Sequence, residues 1–387
     1  MNALPHRERF NVEGIYLNSA YTHPMSIASA DAVQRYLHER MGKGGDGAYD
    51  IVAERNEARG LFARLVNCAV GELAWIPSTM VGENLVLASL GLPERGGHVV
   101  TDAAHFEGSL YLYRSLQERG VEVTILPLQD DGIDPARVAA AIRPDTRLVA
   151  LSLVSALNGF EHDLAAVCAL AHARGVPVYA DIIQAAGAIP IDVRASNVDF
   201  CACSTYKWLM GDFGVGLLYV RSDWIARLRR TQYGYRQLRA FGTHFLPHEA
   251  PYPAPVSFER GADAAALFEV GTLGSAAVAA LKVSLSYLLD TGVAALQAYR
   301  RPMMARLQDA LPALGFTPLT PRTSDGPIAS FACADALALA PALDAAGIRI
   351  QLYPHRFRVS PSVFNTMDDI ESLIDVLTSF QNKGPHA

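Results

Sequence analysis

Between residues 95 and 220 the chain alternates short apolar runs with amphipathic stretches, and this alternation constrains the fold more than any other feature. The apolar runs are rich in Val, Ile and Leu, as buried strands are. The stretches between them have helical spacing; one follows Asp163, a typical N-cap, and another begins at Pro135. The alternation predicts an α/β fold with a mostly parallel sheet. The predicted strands are HVVTDA, VEVTILPL, RLVALSLVS, VPVYAD, VDFCACS and GVGLLYV.

The length of 387 residues predicts more than one domain, because single cores rarely organise so long a chain. We expect an N-terminal segment over residues 1–20 and a large domain over 21–270. A linking helix and a smaller α+β domain are expected over 271–387. The last part contains a long helical pattern, LGSAAVAALKVSLSYLLDTG, and two strand-like runs, IASFAC and GIRIQLYP.

Charge and hydropathy exclude several classes of partner. The formal net charge is −6 and there is no long basic run, so nucleic acid and anionic membrane surfaces are not expected partners. The N-terminus lacks the apolar segment of a signal peptide, and no apolar run approaches the length of a membrane span. These features predict a cytoplasmic protein.

The five cysteines predict neither a disulfide framework nor a metal site. Their number is odd and their spacing is irregular, unlike the pattern of small disulfide-linked proteins. Two of them alternate along one predicted strand, and no second pair is present to complete a zinc site. We therefore expect no metal. The five are Cys68, Cys168, Cys201, Cys203 and Cys333.

Polar residues follow two of the predicted strands, at the edge where ligands bind in open α/β sheets. Asp181 and Gln184 follow VPVYA, and Lys207 follows VDFCAC within CSTYKW. A lone lysine there is commonly ion-paired or extended toward solvent. It can also be an amine nucleophile whose pKa burial lowers. Asp181 favours the second interpretation, since a pyridoxal phosphate (PLP) site needs an aspartate against the ring nitrogen.

The stretch VYADIIQAAGAIPIDVRASNVDFCACSTYKWLMGDFGVGLLYV resembles the core of the class V aminotransferase family of fold-type I PLP enzymes. That family includes cysteine desulfurases, selenocysteine lyases, isopenicillin N epimerases and, more distantly, kynureninases. The resemblance extends from IYLNSAYTHP to FRVSPSVFNTMDDIESLIDVL. It implies a large-domain sheet of the seven-stranded type, PLP as the cofactor, an amino acid substrate, and a homodimer whose active site is shared between subunits.

The resemblance also implies roles for single residues around the cofactor. Lys207 corresponds to the Schiff-base lysine, Asp181 to the partner of the pyridine nitrogen, and Gln184 to a donor near the ring oxygen. Phe106 corresponds to the residue that stacks on the ring, with His105 as the alternative if the alignment shifts by one. The phosphate contacts implied are Thr79 and Met80 in STMVGEN, Ser204, Tyr206, and Thr272 from the neighbouring subunit.

Near the end of the chain the resemblance implies a substrate-binding arginine. Arg358 in RFRVSPSVFN corresponds to the residue that binds the substrate carboxylate, a task suited to a bidentate guanidinium, with Arg356 as the alternative. Asn18 corresponds to a residue near the substrate. The aromatic segment 232–258 is expected either to shape the side-chain pocket or to lie at the surface or a dimer contact. Its candidate residues are Tyr233, Tyr235, His244 and His248.

Two departures from the family pattern bear on which reaction we expect. The segment GIRIQLYPHRFRVS has no cysteine, and Cys333 resembles a buried structural thiol, so cysteine desulfurase is disfavoured. Ala156 stands where many relatives have an asparagine, for which Asn158 is a candidate replacement. The expected reaction is C–S cleavage by β-elimination, or transamination, of a modified amino acid. An epimerase and a kynureninase-like hydrolase are the alternatives.

Functions of other classes lack their sequence signals. A nicotinamide oxidoreductase needs a G-x-G-x-x-G directly after the first strand, and GLPERGGHVV does not supply it. A PLP-binding transcriptional regulator needs a basic helix-turn-helix module, which does not precede the core. A degenerate scaffold is expected to have lost Lys207 or Asp181, and both are present. The sequence therefore favours a catalytic enzyme.

Overall fold

The computed structural model describes residues 4–43, 50–244, 246–248 and 256–383. The strands are β1 (Ile15–Tyr16), β2 (Leu73–Ile76), β3 (His98–Asp102), β4 (Glu122–Leu126), β5 (Thr146–Ser152), β6 (Val178–Asp181), β7 (Phe200–Ser204), β8 (Gly216–Val220), β9 (Leu238–Thr243), β10 (Val256–Arg260), β11 (Thr317–Pro318), β12 (Ala329–Ala332), β13 (Ile348–Arg349), β14 (Gln351–Tyr353) and β15 (Arg356–Val359). The helices are α1 (Ile27–Lys43), α2 (Ile51–Val66), α3 (Thr79–Leu90), α4 (Glu107–Glu118), α5 (Pro135–Ala141), α6 (Leu164–His172), α7 (Val193–Ser196), α8 (Ser222–Ile225), α9 (Ala264–Phe268), α10 (Ser275–Thr291), α11 (Val293–Ala313), α12 (Ala340–Ala345) and α13 (Met367–Lys383).

A seven-stranded sheet forms the centre of the larger part of the chain. Its strand order is β2-β8-β7-β6-β5-β3-β4, and β8 runs antiparallel to both of its neighbours while β3 to β7 are mutually parallel. The prediction of an α/β fold with a mostly parallel sheet is confirmed. All six predicted strands are present. β2 was not predicted, because its four residues form too short an apolar run to stand out.

Both faces of this sheet are buried on every strand except the partly exposed edge strand β4, which explains why most of its strands are apolar. Along β7, Cys201 and Cys203 pack into one hydrophobic cluster, whereas Phe200 and Ala202 pack into the cluster on the opposite face. In a sheet covered in this way, ligands bind at the strand ends. The candidate site residues Asp181 and Lys207 lie at or just after such ends.

A second, four-stranded antiparallel sheet has the order β11-β12-β15-β14 and its own core. Phe331 of β12 and Phe357 of β15 stack with ring centroids 5.5 Å apart, and both are fully buried. The N-terminal segment joins this part of the molecule, since Ile15 of β1 pairs with Ile348 of β13. The domain boundaries after residues 20 and 270 stay a prediction.

The aromatic segment 232–258 contains regular structure that the sequence did not reveal. β9 and β10 form an antiparallel pair in which Phe241 lies opposite Phe258. Both side chains are exposed, so the pair has no buried face to produce an alternating pattern. Residues 245 and 249–255 of this segment lie outside the described residues.

No single helix within the described ranges is long and apolar enough to cross a membrane. The consecutive helices α10 and α11 meet the length and composition of a span only when taken together, and they are bent by 76° relative to each other.

Candidate active site

A cavity of about 450 Å³ lies at the carboxyl-end edge of the large sheet and reaches the small sheet. Lys207 and Tyr206 reach it from the loop after β7, and Arg356 and Arg358 reach it from β15. His105 and Phe106 line it from the segment between β3 and α4. Six of the sequence-predicted candidates thus meet around one space.

Lys207 presents a buried amine that is free to react. Its side chain is 8% exposed, and its Nζ makes no hydrogen bond or ion pair with any residue that the structure describes. Burial lowers the pKa of Lys207 to about 8, although the Asp181 carboxylate acts in the opposite direction. A substantial fraction of this amine is therefore unprotonated at slightly alkaline pH, as a nucleophile requires.

Asp181 supplies a buried carboxylate at the end of the neighbouring strand. Its Oδ1 accepts a hydrogen bond of 2.9 Å from the backbone N–H of Ile183, and β6 pairs it with Ser152 of β5. Burial raises the pKa of Asp181 to about 6. No ion pair within 4 Å joins Asp181 to Lys207 in the described chain. Neither charge is neutralised by the other; Lys207 lines the cavity, and Asp181 lies behind its wall.

Gln184 is held rigidly beside this carboxylate. Its Nε2 donates to the carbonyl oxygen of Ala20 at 2.9 Å, and its Oε1 accepts from the indole N–H of Trp208 at 2.9 Å. Gln184 is 1% exposed and does not line the cavity. Trp208, adjacent to Lys207 in sequence, therefore fixes the amide that the resemblance places near the ring oxygen.

The start of α3 is tied to the end of β7. The Thr79 N–H donates to Ser204 Oγ at 2.8 Å, and the Ser204 N–H donates to Thr79 Oγ1 at 2.8 Å. Ser78 caps the helix by accepting from the Val81 N–H. A helix start carrying hydroxyl groups is a suitable anion site, although neither Thr79 nor Ser204 lines the cavity in this structure.

Phe106, rather than His105, has the freer ring on the cavity wall. The Phe106 ring packs directly over Gly108, where a Cβ would lie only 2.7 Å from Cε1. His105 lines the same cavity but has both ring nitrogens occupied: Nδ1 lies 2.8 Å from Ser152 Oγ, and Nε2 lies 3.1 Å from Glu83 Oε1. Met80 is half-buried close to Gly108, on the same side of the site.

Arg358 is a buried cation that lacks a counter-charge. Its Nη1 donates to the carbonyl oxygen of Ala156 at 2.7 Å, and its Nε has no hydrogen-bond partner in the described part of the chain. Burial lowers the pKa of Arg358, and no carboxylate is among the groups that act on it. Arg356 instead stacks on Tyr353, with its guanidinium carbon 3.8 Å from the ring centroid. Arg358 is therefore the better placed of the two to bind an anion.

Three further candidates lie away from the cavity wall. Asn18 donates to Gln351 Oε1 at 3.2 Å, and its buried Oδ1 has no partner among the described residues. Thr272 is bonded to the Tyr235 hydroxyl and does not line the cavity of its own chain. Asn158, the candidate replacement for the polar group missing at Ala156, does not line the cavity. The Asn158 amide is occupied by backbone partners: its Nδ2 donates to the carbonyls of Asp131 and Leu319, and its Oδ1 accepts from the Phe160 N–H.

The segment 232–258 contributes no described residue to the cavity wall of its own chain. Tyr233 and Tyr235 are 73% and 61% exposed, and His248 is exposed. His244 lies 2.9 Å from Ser257 Oγ, across the β9–β10 pair.

The cysteines also lie away from the cavity. All five are among the described residues, and none lines its wall. Cys203 is the nearest in sequence to Lys207 and is fully buried within the core, where burial raises the pKa of its thiol well above the ordinary value.

Sequence reasoning missed three residues that shape the site. Phe213 stacks on Tyr206 with ring centroids 4.4 Å apart, and Tyr353 supports Arg356. Phe213 occurs in the glycine-containing turn after Lys207, and this position in the sequence could have indicated that it lies near the site. Glu83 is buried behind His105, and a single acidic residue in the apolar helix α3 was the signal overlooked.

The chemistry of this residue set fits PLP. The cofactor needs an unprotonated amine, an anion for its ring nitrogen, a flat side chain for its ring and N–H or hydroxyl donors for its phosphate. Lys207, Asp181 and Phe106 supply the first three. The start of α3 with Ser204 supplies the fourth.

Comparison with known proteins decides the family. The family model described as aminotransferase class-V matches residues 15–373. The chain belongs to that family. As a class V member it is a PLP-dependent enzyme, and the resemblance predicted from CSTYKW and its flanking strands is confirmed.

Curated relatives of this class V enzyme include cysteine desulfurases. Cysteine desulfurase IscS of Anaeromyxobacter sp. strain Fw109-5 is 31% identical over 286 residues, covering 72% of this chain and 69% of the relative. A probable cysteine desulfurase of Methanothermobacter thermautotrophicus is 29% identical over 298 residues, covering 76% and 71%.

Solved structures agree on the fold. Cysteine desulfurase CsdA from Escherichia coli has a TM-score of 0.83 at 24% identity, with 96% of each chain covered. Cysteine desulfurase from Thermococcus onnurineus NA1 has a TM-score of 0.87 at 19% identity, with 99% of each covered. A C-DES variant with glycine linked to PLP has a TM-score of 0.83 at 21% identity, covering 97% of this chain and all of that one. The predicted fold-type I architecture is confirmed.

The functional expectation requires a correction. The sequence reasoning disfavoured cysteine desulfurase and favoured a lyase or aminotransferase of a modified amino acid, and this is wrong, because the relatives are cysteine desulfurases. The error came from giving the missing loop cysteine more weight than the similarity of the remaining chain.

Proposed function

We propose that the protein is a cysteine desulfurase that converts L-cysteine to L-alanine and passes the sulfur atom to a thiol. The observation that carries the proposal is one cavity holding the free amine of Lys207 and the uncompensated guanidinium of Arg358. The similarity to cysteine desulfurases supports cysteine as the substrate.

The proposed cofactor contacts follow the residue set around the cavity. PLP supplies, when bound, an electron-withdrawing ring that weakens the bonds at the substrate α-carbon. Asp181 would pair with its ring nitrogen and Gln184 with its ring oxygen, while Phe106 would stack on the ring. Its phosphate would lie at the start of α3, with Thr79, Met80, Ser204 and Tyr206 as its contacts from this chain.

Substrate binding is proposed to depend on Arg358 and Lys207. Arg358 is held by the Ala156 carbonyl, and its unsatisfied Nε leaves the guanidinium able to bind the substrate carboxylate. Asn18 has a buried Oδ1 without a partner among the described residues and is the second proposed substrate contact. Lys207, with a pKa of about 8, can take a proton from the α-carbon and return it. Burial of both groups excludes water that would compete for them.

The sulfur acceptor is proposed to be a thiol that enters from solution. One cysteine and one thiol yield one alanine and one persulfide, so the sulfur leaves Cβ, forms an S–S bond with the acceptor, and the thiol proton balances the new C–H bond. None of the five cysteines lines the cavity. Cys333 follows β12, where its N–H donates to His355, away from the cavity wall.

A homodimer with a shared site is proposed as the assembly. Thr272 does not reach the cavity of its own chain, and Tyr233 and Tyr235 form an exposed aromatic surface beside it. A partner that covers this surface would place Thr272 toward the neighbouring phosphate site. Mass measurement in solution tests the assembly. A cytoplasmic location stays a prediction.

The test is the dependence of cysteine turnover on added thiol. PLP-loaded protein is incubated with L-cysteine while dithiothreitol is varied, and sulfide released from the thiol persulfide is measured. We expect turnover to rise with dithiothreitol and saturate, to vanish in Lys207→Ala, and to be unchanged in Cys333→Ser. Turnover that needs no added thiol and is lost in Cys333→Ser would overturn the external acceptor. No turnover under any condition would overturn the function.

A further inference from the structure

A buried acidic residue outside the predicted site is connected to the cavity through one hydrogen bond. Glu83 of α3 is 1% exposed and accepts from three donors: the Ser109 hydroxyl at 2.6 Å, the Tyr113 hydroxyl at 2.6 Å and His105 Nε2 at 3.1 Å. These donors hold the pKa of Glu83 below its usual value even though burial acts to raise it. Glu83 is therefore ionised in the interior.

A buried charge of this kind is weak evidence for a stabilising role. Removing a carboxylate from water is costly, and an apolar side chain packed in its place often stabilises a protein as well or better. The residues that follow on the buried side of α3, Leu85, Val86 and Leu87, are apolar, so Glu83 is a charge within an otherwise apolar helix face. The side chain of His105, which is hydrogen-bonded to Glu83, does line the cavity. The contact of Glu83 with a cavity-lining residue therefore indicates a role for Glu83 in the site.

The hydrogen bonds of His105 decide which nitrogen carries the proton in the neutral ring. His105 Nδ1 accepts the backbone N–H of Phe106 at 2.9 Å and lies 2.8 Å from Ser152 Oγ. With Nδ1 as an acceptor, the proton lies on Nε2 and is donated to Glu83. The Phe106 backbone is thereby fixed through His105, and Phe106 carries the ring expected to stack on the cofactor.

The charges around His105 connect the same pair to Asp181. Burial acts to lower the pKa of His105, and Glu83, Asp181 and Asp102 act to raise it, with a net upward direction. His105 in turn acts to lower the pKa of Asp181. Tyr113 of α4 and Ser152 of β5 complete the polar surroundings of His105 and Glu83.

We propose that Glu83 is a positioning residue for the cofactor. By holding His105 in one tautomer and one orientation, it fixes Phe106 and the surroundings of Asp181 on the cavity side. The proposal rests on the proposed function only in that PLP occupies the cavity. Since Glu83 lies one helical turn beyond Thr79, α3 connects the expected phosphate contact with the residues expected to face the ring.

The test uses PLP binding and the visible circular dichroism of the bound cofactor, neither of which requires turnover. Apoprotein is titrated with PLP, and dichroism is normalised to absorbance. For Glu83→Gln we expect about a tenfold weaker affinity, as for loss of one charge-assisted hydrogen bond, together with reduced normalised dichroism. The matched control is Glu72→Gln, another buried glutamate that accepts backbone N–H groups from Ala69 and Ser222 and does not line the cavity. It should leave both readouts unchanged.

A double-mutant cycle separates positioning from general destabilisation. In a His105→Gln background, Glu83→Gln should add less than a twofold further change, because the connection to the cavity is already absent. If Glu83→Gln does not fold, Glu83→Asp retracts the carboxylate from His105 and should shift both readouts in the same direction by a smaller factor. Wild-type affinity and dichroism in a folded Glu83 variant would overturn this proposal alone. Failure of the wild-type protein to bind PLP would overturn the proposed function as well.

Discussion

At the scale of single residues, the site consists of charges that the protein itself leaves uncompensated. Lys207, Asp181 and Arg358 are each at least nine-tenths buried by side-chain exposure, and no ion pair joins any two of them. Burial moves the pKa of each toward its neutral form. Such groups cost stability in the free protein and gain interactions when a ligand of the matching charge enters.

Asp181→Asn tests that cost. The pKa of Asp181 is raised from 3.8 to about 6, so the folded state binds a proton that the unfolded state has lost over this range. Stability of the cofactor-free protein therefore falls as pH rises from about 4 to about 6 and stays reduced above it. Asparagine cannot ionise and retains an acceptor for the Ile183 N–H. We expect Asp181→Asn apoprotein to be more stable than wild type at pH 8, by about 1–3 kcal/mol.

Urea unfolding of both apoproteins at pH 8 and pH 5 measures this difference. The stability gained by the variant should be clearly smaller at pH 5. PLP affinity provides a control of opposite sign, because the variant should bind the cofactor more weakly. A variant that is equally destabilised at both pH values would show that ionisation of the buried Asp181 carboxylate does not lower the stability of the apoprotein.

At the scale of elements, helix α3 must lie close against the sheet for its first turn to reach Ser204. Gly82 permits this approach, since a Cβ there would lie 2.7 Å from Ile76 Cδ1 and 2.9 Å from Ala202 Cβ. The two contacts are on β2 and β7, the strands under the helix. The absence of a Cβ at Gly82 thus allows the start of α3, with the expected phosphate contacts, to lie close to Ser204.

Gly82→Ala should therefore displace α3, with a loss of about 1–3 kcal/mol of stability and a weaker affinity for PLP. The control is Gly60→Ala in α2, where a Cβ meets nothing within 4 Å. That change should stabilise the protein by up to about 1 kcal/mol, because alanine favours the helix. Thermal unfolding and PLP titration of both variants provide the comparison. If the two substitutions behave alike, the close approach of α3 has no consequence for the site.

Elements were predictable from the sequence where burial imposes a period or a continuous apolar run. β3 to β8 follow from such runs, and the cap at Asp163 is found where it was predicted, bonded to the Ala166 N–H. β2 and the β9–β10 pair were missed, because the first is very short and the second has no buried face.

The site residues also differ in how far a local sequence pattern could predict them. Lys207 and Asp181 stand next to strong strand signals, so their convergence followed from the α/β arrangement. The roles of Asn158 and Glu83 depended on contacts between segments distant in sequence: Asn158 with Leu319, and Glu83 with His105. No local pattern encodes such contacts. The reaction was misjudged for a related reason, since one missing cysteine was read as a property of the whole site.

At the scale of the whole molecule, the cavity lies between two units of structure. Lys207 extends from the large sheet, whereas Arg358 and Tyr353 belong to the small antiparallel sheet. β1 joins the N-terminal segment to β13, and Asn18 lies two residues after the end of β1. The residues proposed to bind the substrate and to attach the cofactor are therefore contributed by different parts of the chain.

The carbon product of cysteine turnover distinguishes desulfuration from β-elimination. PLP-loaded protein is mixed with L-cysteine labelled with ¹³C at Cβ and an excess of dithiothreitol, and the products are followed by ¹³C NMR. We expect the label to appear in the methyl group of alanine, in an amount equal to that of the sulfur released. Label in the methyl group of pyruvate, or cysteine that remains unchanged, would contradict the proposed function.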